Sequence, residues 1–157
     1  MVLPIDSPYP VTTNPVVFRA LAALPAVGAW DAAPIEIASA GLRYLTLYQV
    51  YTRGGVAGAA DFQIFGSPYP ADIPGVMSWF SFSLKSNGIL AAGTDVISFV
   101  QREIITYTAT GAGAESFTFG AIDLGHTVER LYVRARESGN AGKPGTLGII
   151  GVFNRGA

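Results

Sequence analysis

Alternation of apolar and polar residues with a period of two runs through most of this 157-residue chain and restricts the folds open to it. A period of two places alternate side chains on opposite faces of a β-strand, whereas an amphipathic helix needs apolar residues every three to four positions. The alternating segments are separated by clusters of Gly, Pro, Asn and Ser, which are typical of turns. The pattern predicts no helix and eight strands, at residues 35–38, 42–53, 61–66, 76–84, 95–108, 115–123, 129–137 and 146–154.

Two of the predicted strands differ in what their faces carry. Residues 129–137 alternate cleanly, with Leu131, Val133 and Ala135 on one face and arginines with a tyrosine on the other. Residues 42–53 are apolar or aromatic on both faces, which is typical of a strand covered on both sides. Eight antiparallel strands with glycine-rich turns favour an all-β fold, an antiparallel β-sandwich of the jelly-roll type. An immunoglobulin-like sandwich is the main alternative, although its Cys–Trp–Cys signature is absent from this cysteine-free chain.

The first 34 residues differ from the rest because they contain six of the ten prolines. Proline lacks a backbone N–H donor and restricts φ, so residues 1–34 are predicted to form an extended N-terminal arm before a sandwich domain of residues 35–157. Residues 16–24 could form a helical turn or a docking strand within the arm. A disordered tail is the alternative, but such tails are poor in large apolar residues, so we expect the arm to pack on its own domain or on a neighbour. The candidate contact residues in the arm are Val17, Phe18, Leu21 and Trp30.

Charged residues are scarce, at 13% of the chain against about 25% in ordinary globular proteins. A folded monomer of 16.4 kDa exposes roughly 7,500 Å², and the mean hydropathy is positive at +0.37. So few charges cover that surface thinly, and the composition therefore predicts burial against other subunits. The net charge is −1 and no basic cluster occurs, which argues against nucleic acid and against a membrane surface as partners. No segment is apolar over the length that a spanning helix needs.

Residue types that carry chemistry are few. The single histidine, His126, lies between Asp123 and Glu129, and a loop histidine is a simpler interpretation than a metal site that needs further ligands. No G-x-S-x-G motif occurs, and a Ser–His–Asp triad would have to recruit the same histidine. The glycine-rich stretch 111–115 has no P-loop lysine and predicts a hairpin connection. We therefore expect no catalytic residue, no cofactor and no metal, although a carboxylate pair assembled in space stays open.

Three arginines, Arg130, Arg134 and Arg136, share one face of the predicted strand 129–137. They form either a solvated outer face or a subunit contact, in which arginine makes bidentate ion pairs and stacks on rings such as Tyr44 or Tyr48. The many tyrosines and phenylalanines and the two tryptophans fit core packing, with an aromatic sugar-binding platform as the alternative.

The C-terminal hairpin 130–153 combines alternating arginines, a G-x-x-G-x-P-G turn and a closing apolar strand. In these features it resembles the final strand pair of small jelly-roll virion proteins of tailed bacteriophages, the capsid decoration or cement class. The resemblance implies a homotrimer that sits on an icosahedral shell, binds the major capsid protein, and is assembled in the host cytoplasm as part of the virion. The proline-rich arm suits that role, since an extended arm can add a strand to a neighbour.

Together these observations predict a non-enzymatic virion structural protein, a decoration subunit that stabilises the shell as an oligomer. A carbohydrate- or receptor-binding jelly roll, lectin-like or fibre-like, is the second hypothesis, and a hydrolase with a spatially assembled site is the third. A main coat protein fits the sequence less well, because a genome-packing jelly roll commonly has a basic arm and the only basic residue in this arm is Arg19.

Overall fold

The computed structural model describes residues 14–26, 29–39, 41–81, 104–125, 128–140 and 142–154, and these residues form nine β-strands. β-Branched and aromatic residues are frequent in the strands, and glycine and proline are frequent between them. The described residues include no helix, and so no helix among them is long and apolar enough to cross a membrane. The strands are β1 (Val16–Ala23), β2 (Ile37–Ala38), β3 (Tyr44–Thr52), β4 (Ala59–Ser67), β5 (Phe80–Ser81), β6 (Ile105–Thr108), β7 (Glu115–Asp123), β8 (Arg130–Glu137) and β9 (Thr146–Asn154).

The strands are divided between two sheets in which every pairing is antiparallel. The first sheet has the order β1-β9-β3-β7. The second has the order β2-β8-β4, and the remaining edge of β4 is shared by β5, which pairs with residues 65–66, and β6, which pairs with residues 59–62. The predicted all-β class is therefore confirmed at the level of two antiparallel sheets.

The two sheets face each other across one hydrophobic core. Leu45 and Leu47 of β3 enter it from the first sheet, and Val133 of β8 enters it from the second, all at most 1% exposed. The Phe62 ring of β4 meets the Phe119 ring of β7 edge-on, with 5.9 Å between centroids. Interdigitation of this kind between two inner faces is the packing of a β-sandwich.

The strand that carries apolar residues on both faces is β3, between β9 and β7 in the first sheet. Its inward side chains are buried, as at Leu45 and Leu47, whereas the outward Tyr48 and Val50 are 43% and 40% exposed. Among the described residues, only the inner apolar face of β3 is covered.

Part of the predicted arm belongs to the first sheet. Residues 16–23 form β1, which pairs with β9 as an edge strand, and Phe18 lies in the core at 1% exposure. The alternation here is hard to read from sequence because alanines fill much of the strand and the register shifts on both sides of Arg19. The docking strand that the sequence allowed within residues 16–24 is thus a strand of the sandwich. Residues 1–13 of the arm predicted at residues 1–34 lie outside the described residues.

Two other predicted strands are represented by short segments. Of the strand predicted at residues 76–84, the described residues contain only β5. The first residue of the predicted strand belongs to a turn over residues 73–76, in which Val76 N–H donates to Ile73 O (3.1 Å). Gly75 has φ +77° in this turn, a conformation that favours glycine. Of residues 95–108, β6 is the described strand, and residues 82–84 and 95–103 lie outside the described residues.

Candidate functional site

The predicted arginine face of β8 lies on the outer side of the second sheet, and Arg130 there is 8% exposed. Its guanidinium forms ion pairs with Glu36 (3.2 Å) and Asp72 (2.7 Å), and its Nε donates to Tyr69 O (2.8 Å). The guanidinium carbon also lies 4.6 Å from the centroid of the Trp79 ring. Because these partners pair its charge and cover its surface, Arg130 holds the loop after β4 against β8.

Arg134 and Arg136 share one aromatic partner, Trp30. Their guanidinium carbons lie 4.7 and 4.3 Å from the centroid of the Trp30 ring. Arg134 donates two hydrogen bonds to Gln63 Oε1 (2.9 and 2.7 Å), and Arg136 forms an ion pair with Asp61 (3.1 Å). Cation–π contacts of this kind are strongest with tryptophan. Trp30 thereby fixes the segment before β2 across the outer face of the second sheet.

The segment between β1 and β2 also covers the outer edge of β8. Glu137 N–H donates to Pro25 O (2.9 Å) and Asp31 N–H donates to Ala135 O (3.0 Å). The Asp31 carboxylate accepts a hydrogen bond from Ala135 N–H (3.0 Å) and forms an ion pair with Arg19 of β1 (2.9 Å). Asp31 therefore links β1 of the first sheet to β8 of the second at one open side of the sandwich.

A cavity of about 240 Å³ lies beside this link. Its lining is mostly apolar and small, and its polar wall is the ion pair between Arg19 and Asp31. These two charges pair with each other, and the rest of the lining is mostly apolar. The apolar lining residues are Phe18, Ala20, Ala22, Ala32, Ala33, Pro34, Ile35 and Val133.

Exposed apolar side chains collect on the outer face of the first sheet, which we define by Val17, Leu21, Tyr48, Val50 and Ile150. Val17 is in register with Ile150, and Ile150 with Tyr48, so these three form one row across three strands. Val50 stands in the adjacent row, where it is in register with Gly148. Leu21 lies over this glycine. The five side chains are between 40% and 67% exposed. The structure therefore brings three predicted contact residues, Val17, Leu21 and Tyr48, onto one surface.

Among the described strands of this sheet, charged side chains point outward only at one end. There, Arg43 and Asp123 form an ion pair with each other (3.0 Å). Between the apolar side chains stand hydroxyl-bearing residues such as Thr46 and Thr118, which are in register with Val152 and Tyr48. The outer face of the first sheet is thus a continuous, uncharged and partly apolar surface.

Glu137, at the end of β8, is fully buried, and its carboxylate accepts five hydrogen bonds. Burial and the hydrogen bond to this carboxylate raise the pKa of Tyr51 well above its usual value. Glu137 therefore caps turns while it is shielded from solvent. The donors are the Tyr51 hydroxyl (2.9 Å) and the backbone N–H groups of Ala59 (2.9 Å), Gly139 (3.1 Å), Asn140 (3.1 Å) and Gly145 (2.8 Å).

Glu115 has a similar role in the glycine-rich connection between β6 and β7. Its carboxylate accepts hydrogen bonds from the Tyr107 hydroxyl and from the N–H groups of Thr110 (2.9 Å) and Gly111. These donors stabilise the charged form, and the pKa of Glu115 is lowered to about 2, with the Tyr107 hydroxyl as the largest cause. Both carboxylates thus act as structural acceptors for turns.

The remaining predicted residues fall into different parts of the structure. Phe18 packs in the core, with its ring centroid 6.0 Å from that of Phe153. Tyr44 stands at one end of the first sheet under the Arg43 guanidinium (5.1 Å). Within the described part of the chain, the β8 arginines stack on the rings of Trp30, Phe65 and Trp79. His126 lies outside the described residues. Within the described ranges, no three His, Cys, Asp or Glu side chains are grouped so as to hold a metal ion.

Val50 and Ile150 lie on this surface but are not among the contact residues that the sequence predicts. The available signal was the apolar character of both faces in the strands around them, since Ile149 and Ile150 are adjacent and must point to opposite sides. The register between β9 and β3 places their outward residues side by side.

Comparisons with protein-family models, curated proteins and solved structures found no match to this chain.

Proposed function

We propose that the two sheets form a jelly roll. The strand order supports this, because the first sheet contains the first, last, third and seventh strands, and the second contains the second, eighth and fourth followed by β5 and β6. Since β5 and β6 pair with different parts of the same β4 edge, they fill one strand position, and nine strands occupy eight positions. Eight positions in two four-stranded sheets are the jelly-roll arrangement of many viral capsid proteins and lectins.

We propose further that this chain is a non-enzymatic structural subunit of a virus particle, of the capsid decoration or cement type, and that it acts as an oligomer on the shell. The observation that carries this proposal is the outer face of the first sheet, with five large apolar side chains 40–67% exposed and no outward charge between them. Soluble monomers rarely leave a contiguous apolar surface in water. A flat apolar sheet face suits a lasting protein–protein contact and offers no groups for chemistry.

Glycan or receptor binding has less support in the described part of the chain. Sugar platforms use an aromatic face that is open to solvent, whereas Trp30 stacks on Arg134 and Arg136. Trp79 likewise packs against Arg130 and, edge-on, against Tyr132. Binding of the purified protein to a glycan array would favour this second hypothesis over the first.

Density-gradient sedimentation of a lysate of cells that naturally produce this protein tests the proposed function. An antibody raised against the purified chain follows it through the gradient after nuclease treatment, which removes association through nucleic acid. We expect the chain to co-migrate with particles of virion size and to be released by mild denaturant before the shell itself dissolves. Recovery of the chain in particle-free fractions alone would refute the proposal.

A further inference from the structure

The outer face of the first sheet also indicates what covers it. We propose that this face packs against the same face of a second copy of the chain, as a two-fold, sheet-on-sheet pair. The inference rests on the proposed assembly function and names the partner of that surface, a second copy rather than the shell.

The face is level enough for sheet-on-sheet packing. Val17, Ile150 and Tyr48 form one straight row across three strands. In the adjacent row Leu21 lies over Gly148, where an added Cβ would be 3.2 Å from the Leu21 Cβ. The leucine thus fills the depression left by the glycine. Two such faces can approach to about 10 Å, the usual separation of packed sheets.

Charge favours the same face of a second copy as the partner. An uncharged surface is best matched by another uncharged surface, because an unpaired charge buried against it loses its hydration. The outer face of the second sheet is a poor match, since it carries three arginines and is overlaid by Trp30 and Trp79. The net charge of −1 per chain also means that two copies repel each other little.

The strand edge at β1 is less suited to self-association than the face. The Arg19 guanidinium donates to the carbonyl oxygens of Ala22 (3.0 Å) and Ala23 (2.9 Å). The strand also has two register shifts, which interrupt the regular row of N–H and C=O groups that edge pairing requires. Self-association is therefore expected through the face.

The size of the face fits a pair. With four strands and nine residues in β3, the face covers roughly 19 by 30 Å, on the order of 600 Å² per copy, at the usual spacings of about 4.8 and 3.4 Å. Two faces together then bury on the order of 1,200 Å², at the lower end of the range for stable, specific interfaces and above most crystal contacts.

Lysine substitutions on and off the face test the pairing. The double variant Tyr48→Lys, Ile150→Lys puts charge at the centre of the proposed contact. The control Val56→Lys puts the same charge at a residue that is 90% exposed in the loop after β3. Size-exclusion chromatography with light scattering over a dilution series measures the mass. We expect wild type and control at twice the chain mass of 16.4 kDa, and the double variant at one chain mass.

We expect the dissociation constant of the pair to rise on the order of 100-fold or more, because both copies carry each lysine and all of these charges would be buried in the contact. Circular dichroism and thermal melting check that the lysine variants fold. If they do not, Val50→Thr with Ile150→Thr keeps β-branching, removes apolar contact and should still weaken the pair. A wild type that is a single chain at every concentration, or a mass unchanged by all face variants, overturns the pairing. A stable trimer overturns the two-fold arrangement.

The gradient experiment separates this inference from the proposed function. A chain that co-migrates with particles but is a single chain in solution refutes the pairing alone. A chain that pairs through this face and never co-migrates with particles refutes the particle function alone.

Discussion

Replacement of Gln49 by methionine is expected to stabilise the fold. Gln49 points inward from β3, is 0% exposed, and stands in register between Phe117 and Ile149. Neither its Oε1 nor its Nε2 has a hydrogen-bond partner among the described residues. A buried polar group without a partner keeps its full desolvation cost, which is about 1–3 kcal/mol.

The magnitude follows from this cost and from the shape of the new side chain. Methionine is unbranched, is similar in length to glutamine and has no strong donor or acceptor, so it removes the unpaired amide with little change in packing. We expect the free energy of unfolding to rise by about 1–3 kcal/mol. For a chain of this length, a gain of about 2 kcal/mol raises the melting temperature by roughly 4–8 °C.

A second buried glutamine supplies a matched control with the opposite sign. Gln63 is 1% exposed, but its Oε1 accepts two hydrogen bonds from Arg134 (2.9 and 2.7 Å). Gln63→Met removes the acceptor of two charge-assisted hydrogen bonds, and we expect it to lower the free energy of unfolding by about 1.5–3 kcal/mol.

Urea denaturation followed by tryptophan fluorescence measures both variants. The protein concentration is held where light scattering gives a constant mass, because association otherwise adds to the apparent stability. Equal m-values then allow the free energies to be compared. A loss of 1 kcal/mol or more in Gln49→Met, at an unchanged m-value, would refute the reasoning from the unpaired amide.

Three further predictions concern carboxylates and a close backbone approach. The pKa of Glu115 is about 2 in the folded state against an ordinary value of 4.5, so its contribution to stability is complete above pH 4.5 and is lost as the pH falls towards 2. E115Q should flatten the acid side of a stability-against-pH curve, and an unchanged curve would contradict this. Glu137→Gln replaces an acceptor of five hydrogen bonds with a group that is partly a donor, and urea denaturation should give a loss of about 2–4 kcal/mol. Gly151→Ala would place a Cβ closer to the Phe18 ring than van der Waals contact allows, and we expect a loss of about 1–3 kcal/mol, with Gly148→Ala on the exposed face as the milder control. Equal losses in the two glycine variants would argue against the close approach of β1 to β9.

The arginines of β8 illustrate what alternation can and cannot predict. Period two identifies the strand and places Arg130, Arg134 and Arg136 on one face, and the structure agrees. The partners could not be predicted from the local pattern, because Trp30 lies some 100 positions away in the chain. The antiparallel run of residues 29–38 along β8 brings the indole onto the guanidinium groups.

β1 illustrates the opposite case, in which tertiary structure supplies a strand that the local pattern does not indicate clearly. Alanines at positions 20, 22 and 23 give no contrast between faces, and the bulges around Arg19 break the period. The strand forms because β9 offers an unpaired edge and because Phe18 fills the core beside Phe153.

The sequence by itself determined the strand-forming character of the chain, the composition of each strand's two faces and the scarcity of charge. These are local or compositional properties, and side chains on a strand alternate whatever the strand pairs with. Tertiary structure decided which apolar face is covered and which is left open. That choice depends on register between distant strands, which buries Leu45 and Leu47 in the core and leaves Tyr48 and Val50 beside Ile150 on the exposed face.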